Sequence, residues 1–117
     1  MDYPETTRHL NDVLGDLLEL LAAQGLRGQF PSLDEAYRVV HGVSSSPDLD
    51  PPEETFAEVR NLILSSFAGT VGSLSNLALW AEQEGERIAM NTRLQALRAR
   101  LKVLARQLPP AYERFPR

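Results

Sequence analysis

Residues 62–81 read LILSSFAGTVGSLSNLALWA and contain no charged side chain. Twelve of the twenty positions are apolar or Ala; the other eight are Gly, Ser, Thr or Asn. A bilayer-crossing helix needs roughly 20 apolar residues, so the length suits a span. The content does not. Gly69-Thr70-Val71-Gly72-Ser73 interrupts the run, and Ser65, Ser66, Ser75 and Asn76 would need partners that lipid does not offer. The run is expected to form two buried helix segments joined by a tight turn, a central apolar helical hairpin. Gly69 should stop the first segment at a left-handed cap. Ser73 or Ser75 should start the second by accepting a bond from a free backbone N–H.

The flanking sequence supplies amphipathic helices to pack on that hairpin. A first helix is expected over 4–24, with Pro4 and Glu5 suited to its first turn. Leu10, Leu14, Leu17 and Leu21 recur at helical spacing, and Val13, Leu18 and Leu20 widen the stripe. Gly15 should let another helix approach. Gly25 should end the element, with Leu26 making the apolar contact that follows such a cap. Phe30 is expected to fold back onto the core. Ser32 and Glu35 have the spacing of a capping box, opening a short helix over 33–41 that Gly42 stops. Leu33, Ala36, Tyr37 and Val40 form its apolar face.

Residues 43–52 read as an exposed loop. A third helix over 51–68 follows, with Asp50 as its N-cap, Pro51 in its first turn, and Glu53 and Glu54 at the positive end of its dipole. Phe56, Val59, Ile63 and Phe67 line one side, broadened by Leu62 and Leu64. A fourth helix is expected over 74–84, with Trp80 as its largest buried group and Gly85 as a break. The last helix, 86–108, carries Met90, Leu94, Leu97, Leu101, Leu104 and Leu108 at heptad spacing. The stripe is short, so it should pack inside a bundle. Pro109 and Pro110 end the helix, and 109–117 is a tail. The expected fold is therefore all-α: a single-domain bundle of four to five helices over 1–117.

The chain is long enough for one real core. Its hydrophobic fraction of 43% and charged fraction of 24% are ordinary for a globular protein. The absence of cysteine removes disulfide and thiolate chemistry and suits a cytoplasmic location. MDYPETT has no basic region followed by an apolar one, so no secretory signal is expected.

The net charge of −4 hides an asymmetry. Residues 1–86 hold four basic and fifteen acidic side chains, a balance of −11. Residues 87–117 hold eight basic side chains against Glu113 alone, a balance of +7. The basic end reads first as a counterweight to the acidic helices of the same fold, with Asp12, Asp16 and Glu19 facing it. A nucleic-acid surface built from Arg93, Arg98, Arg100, Lys102 and Arg106 is the alternative, without a recognisable DNA-binding motif to support it.

No motif carries identifiable chemistry. His9, Asp12, Asp16 and Glu19 share a helix face, but no second element supplies converging metal ligands. His41 falls at a helix end, where its charged form suits the dipole. Ser44, Ser45 and Ser46 lack the elbow and oxyanion hole that a serine nucleophile needs. Glu53, Glu54 and Glu58, like Glu82, Glu84 and Glu86, have the spacing of solvated helix faces. Residues 69–73 lack the Lys and the spacing of a phosphate-binding loop. No catalytic residue, metal or cofactor is expected.

The central turn, Phe67-Ala68-Gly69-Thr70-Val71-Gly72-Ser73-Leu74-Ser75-Asn76-Leu77, resembles a Y-G-G-M-G-S-F-N-D-L motif in a family of small bacterial proteins of uncharacterised function. The upstream leucine-rich helix ending near Gly25 is also similar. The resemblance covers about a tenth of the chain. It departs by one extra residue in the turn and by Ser75-Asn76 where the family has Asn-Asp. It implies a small bacterial helical domain of the kind that serves as an immunity partner in toxin systems, and it carries no catalytic residue across.

These readings together describe a small non-catalytic protein-binding domain, an immunity or antitoxin-like inhibitor of a basic protein, with no membrane partner. Its expected contacts are Asp48, Asp50, Glu53, Glu54 and Glu58 with Asp12 and Asp16. The alternatives are a homo-oligomer pairing through Met90, Leu94, Leu97, Leu101 and Leu104, and a nucleic-acid binder using the last helix.

Overall fold

The computed structural model describes residues 3–45, 51–68 and 73–109. Four helices carry the fold: α1 (Tyr3–Ala23), α2 (Pro31–Ser44), α3 (Glu53–Phe67) and α4 (Glu84–Arg106). Short 3-10 turns occupy Arg27–Gln29 and Leu74–Asn76, and no strand occurs among the described residues. The all-α bundle expected from the sequence is the fold observed. The helices pack as a ring, α1 on α2, α2 on α3, α3 on α4 and α4 on α1. No comparable packing joins α1 to α3, so these two stand at non-adjacent corners.

One core draws on all four helices. Leu10, Leu14, Leu17, Leu18 and Leu21 of α1 are fully buried, with Leu33, Ala36 and Val40 of α2, Phe56, Val59 and Ile63 of α3, and Leu94, Leu101 and Leu104 of α4. Phe30 folds into this core from the connector, as its position implied. Gly15 lies against the Tyr37 ring of α2, whose nearest carbon is 3.5 Å from where a Cβ would stand. That is ordinary van der Waals distance to a side chain, so the contact does not require a glycine.

α1 ends as read. Gly25 has φ +69°, the Gly25 N–H donates to Ala22 O at 3.0 Å, and the Leu26 N–H donates to Leu21 O at 2.8 Å. This pair of bonds, with Leu26 packed on the core, is a Schellman cap.

The start of α2 differs. Ser32 forms no capping box, because the helix begins one residue before it, at Pro31. The fixed φ of proline and its missing N–H suit the first helical position. The Phe30 carbonyl then accepts from Leu33 N–H and Asp34 N–H, and Glu35 pairs with Arg38 instead of reaching back. Gly42 does not stop α2, which runs on to Ser44. α3 begins at Glu53 with Pro52 as its N-cap, not at Pro51. A residue preceding proline is pushed out of the helical region, which excludes Pro51. Asp50, the expected cap, lies outside the described residues, as do Gly69 and the tail beyond Pro109.

The central hairpin is half formed. α3 is its first arm and ends at Phe67. Ser65 Oγ donates to Leu62 O and Ser66 Oγ to Ile63 O, so two carbonyls of the last turn bond side chains of their own helix. The second arm is not an α-helix. After the 3-10 turn Leu74–Asn76 the chain is extended, with Leu77 at φ −71° and ψ 135°. Leu74 and Leu79 enter the core, but Trp80 does not: it is 66% exposed. Ser73 precedes the 3-10 turn without making a side-chain cap, and Ser75 Oγ donates instead to Phe67 O. Gly85, expected to break a helix, lies in the first turn of α4.

Candidate interaction surfaces

An extended segment inside a helical bundle has no ladder to satisfy its backbone, and buried backbone groups must be paired. Here side chains do the pairing. Asn91 of α4 accepts from the Leu79 N–H at 2.7 Å and donates Nδ2 to the Leu79 carbonyl at 3.0 Å. Arg98 Nη1 donates to the carbonyls of Leu74, Ser75 and Leu77 at 2.8, 3.3 and 3.0 Å. From the turn that closes α1, Gln24 Oε1 accepts from the Trp80 N–H at 3.4 Å. The Arg87 guanidinium stacks over the Trp80 ring, 4.4 Å from its centroid.

Three of the six cations of α4 are thus spent within the fold. Arg98 holds carbonyls, Arg87 covers Trp80, and Lys102 Nζ lies 4.7 Å from the centroid of the Phe67 ring. Arg60 of α3 likewise donates to Leu108 O at 2.8 Å. Arg93, Arg100 and Arg106 are exposed. The heptad stripe faces inward. Leu94, Leu101 and Leu104 are buried, and Met90 and Leu97 pack against the same core, so the bundle itself uses this seam.

The acidic residues are not drawn to α4. Asp12, Asp16 and Glu19 are exposed on α1 and form no ion pair among the described residues. The polar contacts between α1 and α4 and their ends are neutral, Thr6 Oγ1 to Gln107 Oε1 at 3.2 Å and Gln24 Nε2 to Met90 Sδ at 3.7 Å. Glu53, Glu54 and Glu58 are exposed on α3. Because α1 and α3 stand at non-adjacent corners, these acids do not join Asp12 and Asp16 in one patch. Asp48 and Asp50 lie outside the described residues.

Two open grooves mark the surface. The first, between the connector and α2, is lined by Arg27, Tyr37, Arg38 and His41 among others. Its cations are committed: Arg27 bonds Asp34 at 2.6 Å and Arg38 bonds Glu35 at 2.5 Å. The hydrogen bonds to those carboxylates raise both guanidinium pKa values above their ordinary value, and Arg38 holds the Glu35 carboxyl below its ordinary range. His41 lies in the last turn of α2, its Nδ1 3.1 Å from Asn11 Oδ1 and its ring 5.6 Å from that of Tyr37. The second groove, about 440 Å³, runs between the start of α1 and the end of α4. Glu5, Thr6, His9, Arg100, Val103 and Leu104 line it.

Among the described residues no three His, Cys, Asp or Glu side chains are grouped to hold a metal. No described helix is long and apolar enough to cross a membrane. Sequence reasoning missed Trp80 as a surface residue and Asn91 and Gln24 as its supports. The available signal was Asn91 itself, a polar side chain beside the apolar seam at Met90. No protein-family profile, curated protein or solved structure matches the chain.

Proposed function

We propose that the protein is a small non-catalytic binding domain that captures a basic protein partner, in the manner of an immunity or antitoxin-like inhibitor. One observation carries this reading. The outward face of α1 presents Asp12, Asp16 and Glu19, exposed and without an ion pair among the described residues, although a basic helix packs beside it. Of the six cations of that helix, Arg87, Lys102 and Arg98 are held by Trp80, by Phe67 and by backbone carbonyls, and the exposed Arg93, Arg100 and Arg106 form no ion pair with these acids. The acidic face is therefore left to solvent, where it steers association with a surface of opposite sign. The likeness of residues 67–77 to a small bacterial helical family is in keeping with an immunity role. Glu53 and Glu58 are exposed on α3, apart from that face.

The test is affinity capture at low and high salt from a lysate of the source organism, followed by kinetics with the purified partner. Asp12→Lys with Asp16→Lys should slow association on the order of tenfold or more at low salt. Binding indifferent to both salt and this double reversal would remove the proposal.

A further inference from the structure

Three large apolar side chains stand out as exposed: Trp80 at 66%, Ile88 at 58% and Val103 at 57%. Scattered apolar residues on a surface mean little singly. These three are sorted by charge. Trp80 and Ile88 flank the start of α4 among Glu82, Glu84 and Glu86, all exposed and without an ion pair among the described residues. Arg87, within the same stretch, is stacked on Trp80. Val103 lies near the other end of α4, with Arg100 and Arg106 three residues to either side and therefore adjacent on the helix surface. It opens onto the groove of about 440 Å³ beside the start of α1. That volume is within the range that accommodates a compact organic group. Glu5, the acid lining the groove, is already engaged within the chain. Ala96 and Ala99, both exposed, continue the apolar strip along the outer side of α4.

We infer that these two patches recognise each other between copies: Trp80 of one molecule seats in the Arg100–Val103 groove of a second, with Glu82, Glu84 and Glu86 against Arg100 and Arg106. The contact is between molecules because it cannot form within one. Arg87, which touches Trp80, and Val103 are sixteen residues apart on one helix, about 24 Å along its axis. The indole is held ready. Asn91 fixes the backbone at Leu79, Gln24 fixes the Trp80 N–H and Arg87 covers the ring, so little freedom remains to be lost on docking. Rigid tryptophans and arginines are the side chains that most often dominate such contacts. Acidic groups around the indole disfavour an anionic lipid surface or a nucleic acid as the occupant. The interface is head-to-tail, using two different patches of each chain, and so differs from a symmetric pairing through the leucine seam.

The test is sedimentation of the full chain over a range of concentrations at low salt. The wild type should associate reversibly, and salt should weaken the association. Trp80→Ala, and separately Arg100→Glu with Arg106→Glu, should each lower the association constant about 30-fold. An equimolar mixture of these two variants should form a heterodimer. The first brings an intact groove and the second an intact Trp80, so one good contact is restored. Trp80 is the single tryptophan, so its fluorescence should shift in that mixture. Far-UV circular dichroism confirms that these exposed substitutions leave the helices in place. A chain that stays monomeric at every concentration overturns the inference. So does association indifferent to Trp80→Ala, or a mixture that fails to restore it. The outcome is separable from the partner reading, because that reading rests on Asp12 and Asp16 and survives Trp80→Ala.

Discussion

Asn91 bonds Leu79 as one peptide group bonds another: its Oδ1 accepts from the Leu79 N–H at 2.7 Å while its Nδ2 donates to the Leu79 carbonyl at 3.0 Å. The amide orientation follows from its surroundings, since Nδ2 faces a second carbonyl, that of Arg87, at 2.9 Å. Leu79 is 3% exposed, so neither of its backbone groups has water to turn to. Asn91→Ala strands both. Each unsatisfied buried group costs about 1–3 kcal/mol, and the variant should lose about 2–4 kcal/mol of stability in urea unfolding. Exchange of the Leu79 and Trp80 amide hydrogens should accelerate ahead of the rest of the core. Wild-type protection at those two amides would show that Asn91 is not the clamp.

Arg98 makes the complementary attachment. Its Nη1, with two N–H groups, is shared among the carbonyls of Leu74 and Ser75 in the 3-10 turn and of Leu77 just after it, and the planar guanidinium fixes the direction of those donors. Hydrogen bonds to charged groups contribute about 1.5–3 kcal/mol. Arg98→Ala should therefore destabilise by about 2 kcal/mol. Arg98→Lys should recover only part of that, because one ammonium at the end of a flexible chain cannot match the geometry. A lysine variant as stable as wild type would reduce the interaction to plain charge.

The same two residues explain what was legible in the sequence. Leucine spacing in 10–21 and 94–104 placed two helices and their buried faces, and Gly25 placed a helix end, because each signal is local. Residues 77–81, LALWA, look like another helix by the same local measure. What keeps them extended comes from Gln24, Asn91 and Arg98, 12 to 56 residues away along the chain. The exposure of Trp80 follows from that override. The acidic candidates fared differently: their solvent exposure was readable, but the corner each helix occupies was not, so α1 and α3 acids were grouped that the bundle keeps apart.

The Glu35–Arg38 pair gives a pH signature with a definite sign. Hydrogen bonding to Arg38 lowers the Glu35 pKa from its ordinary value of 4.5. A carboxyl whose folded pKa is depressed favours the folded state above its unfolded value, and that preference is lost as pH falls through the folded value. Both side chains are well exposed, so the energetic effect is small. The readable quantity is the titration itself. Carboxyl NMR should place the Glu35 midpoint below 4.5, and Arg38→Ala should move it upward. An unchanged midpoint in that variant would show that the bond does not persist in solution.

Two glycines of this chain should respond to alanine with opposite signs. Gly25 has φ +69° at the end of α1, where the Schellman bonds depend on a left-handed residue. A Cβ there meets no neighbouring atom, so the penalty is one of backbone conformation alone, about 1–2 kcal/mol. Gly42 lies within α2, exposed and also clear of neighbours. Its backbone is already helical, and alanine is favoured over glycine in a helix interior by about 1 kcal/mol. Gly25→Ala should lower the urea midpoint and Gly42→Ala should raise it, with the slope of the transition unchanged in both. The pair is a direct check on where α2 ends. If Gly42 stopped the helix in solution, as its position in the sequence implied, Gly42→Ala would destabilise as Gly25→Ala does, and the helical span through Ser44 would be wrong.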